Sequence, residues 1–452
     1  MNKPTIIVLF SCLCGLAAFV SCRTSETESV RLRYADTLEA VVLDNILTKW
    51  YPAAYDYQDG GYISSFEFDF SPSERQNKMI VSQARHLWTT SKAALDYPEV
   101  DHYREGAALG FRFIRDKFWD KEHGGFHTLL SKEGEVITSG PDAKTAYGNA
   151  FAIYGLAAYY AMSRNEEALS LAQKAFRWLE KNSYDPEFGG YFQNLGVDGT
   201  PLRRTDETPS TSTIGYKDQN SSIHLLEAFT ELYHVWKDPL LKTRLEELLE
   251  IIRDKIVQPE GYLQLFLYPD FTPVSFRDSS AAEIEKHHAI DHVSYGHDVE
   301  TAYLMMEASE ALGKPHDERT WSVGKKMVDH ALKFGWDNEK GGFYDGGYYF
   351  KGEEIPRVVK DTKNWWAQAE GLNTLLIMAD LYPDDDWDYF SKFELQWDYI
   401  DKYLIDHEHG EWYAGGIDMQ PHFKTSQKGH IWKTAYHNYR SLANCIKRLR
   451  EN

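Results

Sequence analysis

Cysteine is scarce: the 452-residue chain has 4, and two of these, Cys12 and Cys14, fall inside an N-terminal apolar run. A disulfide framework is excluded, so stability must come from a packed core. Positive charge is also in deficit. Lys and Arg number 49 against 69 Asp and Glu, a net charge of −20 that disfavours nucleic acid or an anionic membrane surface as a partner. The phosphate-cradling GxxxxGK(S/T) loop and a strand-linked GxGxxG are missing, as are HExxH and CxxC, so nucleotide chemistry and a compact zinc site lack their usual support. Aromatic residues are plentiful by contrast. The 13 Trp, 29 Tyr and 23 Phe offer flat, amphipathic surfaces of the kind that line a sugar cleft.

Lys3 precedes an uncharged apolar run from Thr5 to Val20, and polar sequence follows at once, which is the layout of a targeting segment. The run closes on Phe19-Val20-Ser21-Cys22, where a small residue before a cysteine resembles the lipobox of bacterial lipoproteins. Residues 1–21 are therefore expected to be a signal peptide, Cys22 the lipidated first residue, residues 22–35 a polar tether and residues 36–452 the folded domain. On this reading the protein is exported to a bacterial cell envelope, periplasm or surface, and the lipid is its contact with the membrane.

A glycine-aromatic signature recurs six times: GGYISSF at Gly60, GGFHTLL at Gly124, GGYFQNL at Gly189, GYLQLF at Gly261, GGFYDGG at Gly341 and GEWYAGG at Gly410. Acidic, turn-rich approaches such as WDKEHGG and YDPEFGG mark these as connections rather than core elements. Between them lie six segments that open on a polar or aromatic cluster and then show helical periodicity. They begin near Gln83, Thr145, Asn220, Gly296, Trp365 and Ala435. A second, more charged helix accompanies them, as from Arg164 and Asp238. Six helix pairs that cannot bury their faces alone close naturally into a ring, six helices inside and six outside, an all-α architecture.

In such a ring the equivalent ends of the inner helices share one mouth. The residues brought there are Arg85, Tyr147, Asn220, His224, His297, Glu300, Trp365, Trp366, Glu370, Trp432 and His437. Asn220 and His224 are four apart and His297 and Glu300 three apart, so each pair shares a helix face. Glu300 is expected to orient His297 and raise its basicity. Two histidines facing across a sugar suit proton transfer at a carbon beside a carbonyl: one imidazole removes the proton from C2, and the other returns one to the opposite face of the planar enediolate. Arg85, His224 and Asn220 are donor types suited to the developing oxyanion, and the tryptophans can stack on sugar faces. His287, His288 and His292 read as a solvated loop before the helix at Gly296, and the histidine and glutamate spacing matches no tight metal set, so neither metal nor other cofactor is expected.

These segments together resemble the N-acylglucosamine 2-epimerase superfamily, closest to its cellobiose 2-epimerase branch, which includes mannobiose 2-epimerases. The resemblance runs from about Tyr34 to the C-terminus through ARHLW at Ala84, the YGNAFAIYGL helix, NSSIHLLEAFTELYHVW, GHDVE at Gly296, NWWAQAE at Asn364 and WKTAYHN at Trp432. It implies an (α/α)6 barrel built from six helix-pair repeats and cofactor-free epimerisation at C2 of the reducing-end sugar of a β-1,4-linked disaccharide. By motif match it makes His297 and His437 the acid/base groups, with Glu300 paired to His297. His224 would assist ring opening or polarise the carbonyl, and Arg85, Tyr147, Asn220, Trp366, Glu370 and Trp432 would form the sugar pocket. The chain departs from the branch pattern at Ala435, where WKxPYHN has proline, and at Ser222, where NTHLH has its first histidine. The partner expected is a disaccharide or short oligosaccharide. A monosaccharide or N-acylglucosamine 2-epimerase or mannose isomerase, a glycoside hydrolase using Glu300 with Glu370, and a non-catalytic sugar-binding lipoprotein are the alternatives.

Overall fold

Burial on nearly all sides marks most of the long inner helices, polar first turns included, whereas the outer helices bury one stripe only. The computed structural model describes residues 29–451. In chain order its helices are α1 (29–50), α2 (Ile80–Asp96), α3 (Asp101–Phe113), α4 (Ala146–Ser163), α5 (Glu166–Asn182), α6 (Gln219–Val235) and α7 (Pro239–Ile251). They continue as α8 (Ala281–Asp291), α9 (Tyr295–Ala311), α10 (Glu318–Gly335), α11 (Trp365–Leu381), α12 (Tyr389–Tyr403) and α13 (Tyr436–Glu451). Helices α2, α4, α6, α9, α11 and α13 pack in that order into a closed inner ring, and α13 returns to α2. Each inner helix is backed by one outer helix, which makes the molecule an (α/α)6 barrel.

Helices α4 and α5 illustrate the contrast. Every residue of α4 from Ala146 to Tyr159 is buried, whereas α5 buries Ala168, Leu169, Leu171, Ala172, Ala175, Phe176, Trp178 and Leu179, a single stripe at helical spacing. The inner ring is tight. A Cβ at Gly155 of α4 would stand 2.8 Å from the Ala84 carbonyl of α2, so only glycine lets these two helices approach as they do.

The sixth outer helix comes from the other end of the chain. Helix α1 covers α13, held by Arg450 against Glu39 at 2.7 Å, Arg31 against Asp380 at 2.8 Å, and the Trp50 indole N–H donating to Glu411 at 2.7 Å. The tether expected over residues 22–35 therefore ends earlier: residues 29–35 are already helical, and Ala35 is fully buried. Its remainder, the signal peptide and Cys22 lie outside the described residues. Among the described residues no helix is long and apolar enough to cross a membrane, and Cys445 is buried as a free thiol.

The six glycine-aromatic segments join outer to inner helices through paired bridges such as Trp119 with Phe126 and Trp336 with Phe343. They are more than connections. Tyr62, Phe126, Tyr191, Phe343 and Trp412, the aromatics of five signatures, are at most 3% exposed and plug the core, each worth about 1.5–3 kcal/mol of burial. The acidic approach has a matching role: Asp56, Asp120, Asp185, Asp337 and Asp406 accept the Nζ donors of buried Lys78, Lys144, Lys217, Lys363 and Lys428 at 2.5–2.7 Å. Side chains near the inner-helix starts then pin the loops. Gln83, Asn149, Asp298 and Gln368 accept the backbone N–H of Tyr62, Phe126, Leu263 and Phe343. Part of the polar character at those helix starts is thus structural, which leaves the remainder to line the mouth.

Candidate active site

Ten of the side chains singled out by sequence converge on one cavity of about 190 Å³: Arg85, Tyr147, Asn220, His224, His297, Glu300, Trp365, Trp366, Trp432 and His437. They come from the first two turns of the inner helices and from the loop before α13. Trp366 contacts both histidines, its ring centroid 4.6 Å from that of His297 and 5.9 Å from that of His437. A Cβ on Gly296 would press on Trp366 at 2.9 Å, so this glycine keeps the indole against His297. Across the cavity the Arg85 guanidinium donates to the Tyr147 hydroxyl at 3.1 Å and to the Trp432 carbonyl at 3.0 Å, and it lies over the faces of Phe151 and Tyr436. Trp432 is half exposed at the rim.

Glu370 is the exception. It is fully buried behind His437 rather than in the cavity wall, with Oε1 at 2.6 Å from the His437 Nδ1 and Oε2 accepting from the Tyr303 hydroxyl at 2.7 Å. The expected partnership of Glu300 with His297 is corrected as well. Glu300 accepts from Arg440 at 2.7 Å, while the Nδ1 of His297 lies 2.7 Å from the Ser294 hydroxyl. The spacing placed Glu300 on the correct face, but the fixed guanidinium attracts its carboxyl more strongly than a neutral imidazole can. His224 is paired in turn with Glu227, at 2.8 Å from Nδ1.

Arg440 links these pairs. From α13 it bonds Glu227 of α6, Glu300 of α9 and Glu370 of α11, and it also meets the Tyr436 hydroxyl. Sequence reasoning missed Glu227, Arg440, Tyr303, Tyr436 and Ser294. A signal existed for two of them: His224-x-x-Glu227, His297-x-x-Glu300 and His437-x-x-Arg440 repeat one spacing on three inner helices.

The electrostatics separate these groups. Burial drives the His297 imidazole down to about 3, helped by His224, His292 and His437. His437 is pushed well below its ordinary value by burial and by Arg85 and Arg440, and His224 is lowered by burial. Each free imidazole is thereby biased toward its neutral form. Burial works to raise the Glu227 carboxyl, but Arg440, His224 and Tyr436 outweigh it and hold it at about 2. Glu300 goes the other way, up to about 8, through burial and the neighbouring Glu370. Glu300, Glu370 and His437 place three donor atoms within 4.8 Å of one another, a set whose chemistry could hold a cation. The Arg440 Nη2 already bridges both carboxylates at 2.7 Å each, a fixed positive charge where an ion would have to sit.

The HHAIDH stretch is not a solvated loop. It belongs to α8, and His287 is buried with its ring stacked on Phe276 at 3.8 Å and one nitrogen 2.9 Å from the Ser210 hydroxyl.

The profile of the family described as N-acylglucosamine 2-epimerase (GlcNAc 2-epimerase) matches residues 61–441. Among individual proteins, the chain is 29% identical over 418 residues to a cellobiose 2-epimerase of Bacteroides fragilis, spanning 90% of this chain and 96% of that one. It is 27% identical over 416 residues to a cellobiose 2-epimerase of Dictyoglomus turgidum, with 90% and 97% covered. In three dimensions it matches the cellobiose 2-epimerase structure from Spirochaeta thermophila with a TM-score of 0.79 at 29% identity, covering 94% of this chain and 98% of that one.

Proposed function

Because the chain belongs to the N-acylglucosamine 2-epimerase family, we propose that it is an isomerase acting on C2 of the reducing-end sugar of a β-1,4-linked disaccharide, with His297 and His437 as the two proton-transfer groups. The observation that carries this reading is the placement of both imidazoles against Trp366 in one cavity, each with Nδ1 tied to the wall. Nε2 is then the nitrogen each ring presents to a sugar.

The cyclic sugar must first open. His224 donates its Nδ1–H to Glu227, so its Nε2 lone pair can take the anomeric hydroxyl proton as C1=O forms and the C1–O5 bond breaks, and the same nitrogen returns that proton to the ring oxygen. One imidazole then takes the C2 proton: the C2–H bond breaks, an N–H bond forms, and the electron pair enters C1–C2 while the carbonyl pair moves onto its oxygen. Arg85 supplies a fixed positive charge for that oxygen. The second imidazole, which must enter this step protonated on both nitrogens, delivers its Nε2 proton to the opposite face as the electron pair returns, and leaves the step neutral. One proton exchanged with water resets the two rings.

The disaccharide preference draws support from Trp432, whose half-exposed indole at the rim is available to a second sugar. Product analysis by NMR tests the reading, with cellobiose, β-1,4-mannobiose and mannose supplied separately. Either disaccharide should give its C2 epimer with mass conserved. Turnover of mannose alone points to the monosaccharide reading, and release of free monosaccharides from the disaccharides points to hydrolysis.

We further propose export with a lipid on Cys22, on the strength of the Thr5 to Val20 run and the Ser21-Cys22 junction. The substrate would then be met outside the cytoplasm. Labelling of growing cells with a radioactive fatty acid should mark the wild-type protein and not Cys22→Ser.

A further inference from the structure

Four inner helices begin after a residue of a type that favours N-capping, and three use it so. Thr145 accepts from the Gly148 N–H, Asp218 from Ser221 and Asn364 from Ala367. Ser294, at the head of α9, makes no side-chain cap bond. Its hydroxyl lies instead 2.7 Å from Nδ1 of His297, although the backbone N–H of that same residue is the usual target of an N-cap oxygen. Ser294 is 5% exposed, so solvent hardly competes for the contact.

The two imidazoles are therefore backed unequally. A hydroxyl can accept from Nδ1–H or, after rotation, donate to Nδ1, and it carries no charge. The Glu370 carboxylate behind His437 accepts a hydrogen bond from Nδ1–H and is a partner of the kind that favours an imidazolium, against the opposing push of burial, Arg85 and Arg440 on that ring. The titratable and charged groups facing His297 are His292 from the preceding turn, His224 of α6, His437 of α13, Glu300 one turn along α9, and Arg85 in the cavity wall. Three of these are histidines, and each opposes a charge on His297.

We propose that Ser294 is a positioning residue for His297: its diverted hydroxyl holds the ring with Nε2 toward the cavity and, carrying no charge, gives an imidazolium there less support than a carboxylate would. This deepens the two-imidazole reading and rests on it.

The test compares Ser294→Ala, Ser294→Thr and Ser294→Asp, each checked for native thermal unfolding. Ser294→Ala should lose kcat by about tenfold to a hundredfold with little change in KM, and Ser294→Thr, which restores a hydroxyl, should recover most of it. Ser294→Asp places a carboxylate behind the ring and should move the acidic limb of the kcat/KM profile to higher pH. Nitrogen-15 NMR of the His297 ring gives a readout that needs no turnover: Asp should raise its titration midpoint, and Ala should remove its tautomer preference. The proposal is overturned if Ala turns over at the wild-type rate, if Thr is no better than Ala, or if the His297 resonances ignore both Ala and Asp. Failure of the wild type to epimerise any tested sugar, with the NMR response intact, would instead count against the two-imidazole reading and against His297 as a proton-transfer group.

Discussion

Glu370 holds His437 from behind: one carboxylate oxygen lies 2.6 Å from the ring Nδ1 and is shared with Arg440, while the other accepts from Tyr303. The carboxylate thereby fixes which nitrogen faces the cavity and offers negative charge to the ring when it is protonated.

Replacing Glu370 with Gln keeps the shape and an acceptor for Nδ1–H but removes that charge. Glu370→Gln is expected to lower kcat by about a hundredfold or more, with KM nearly unchanged, because the stabilisation matters when His437 carries a proton. Steady-state kinetics check this. A kcat within about threefold of wild type contradicts it.

Arg440 is buried, and among the described residues it is the cation paired with all three carboxylates. Arg440→Met should destabilise the fold by about 3–5 kcal/mol, since breaking a buried ion cluster strands the remaining charges. Urea unfolding measures this at pH 7. A loss under about 1 kcal/mol would mean that the cluster is easily reorganised or solvated.

Much of this architecture was legible in the chain itself, because the six inner helices announce themselves by a polar opening followed by apolar periodicity. The observed starts at Ile80, Ala146, Gln219, Tyr295, Trp365 and Tyr436 fall within a few residues of those marks. The outer partner of α13 was not legible, since it is α1, from the opposite end of the chain, and closure of a ring leaves no local signal. The same limit applies to the ion pairs. Spacing along α9 put Glu300 and His297 on one face, but the choice of partner was made by Arg440, which lies 140 positions away. His287 misled for a related reason: an HHAIDH string looks hydrophilic until Phe276 and Ser210 arrive to cover it.

The raised Glu300 carboxyl gives a signed prediction for stability. Its folded value of about 8 exceeds the ordinary 4.5, so folding favours the protonated form; this stabilisation is complete below about 4.5 and is lost as pH rises through about 8. Glu300→Gln cannot titrate. Relative to the wild type, its unfolding midpoint should therefore climb between about pH 5 and about pH 9, whatever the offset at low pH. A constant or falling difference would place the Glu300 carboxyl in its ordinary range.

The central claim, that two imidazoles serve opposite faces of one carbon, is tested most directly by epimerising a β-1,4 disaccharide in deuterated water and stopping at low conversion. The account predicts deuterium at C2 of the product while the recovered substrate remains protiated, because the group that removes the proton is not the one that returns it. Product that keeps its original hydrogen at C2, or early labelling of both pools alike, would contradict it.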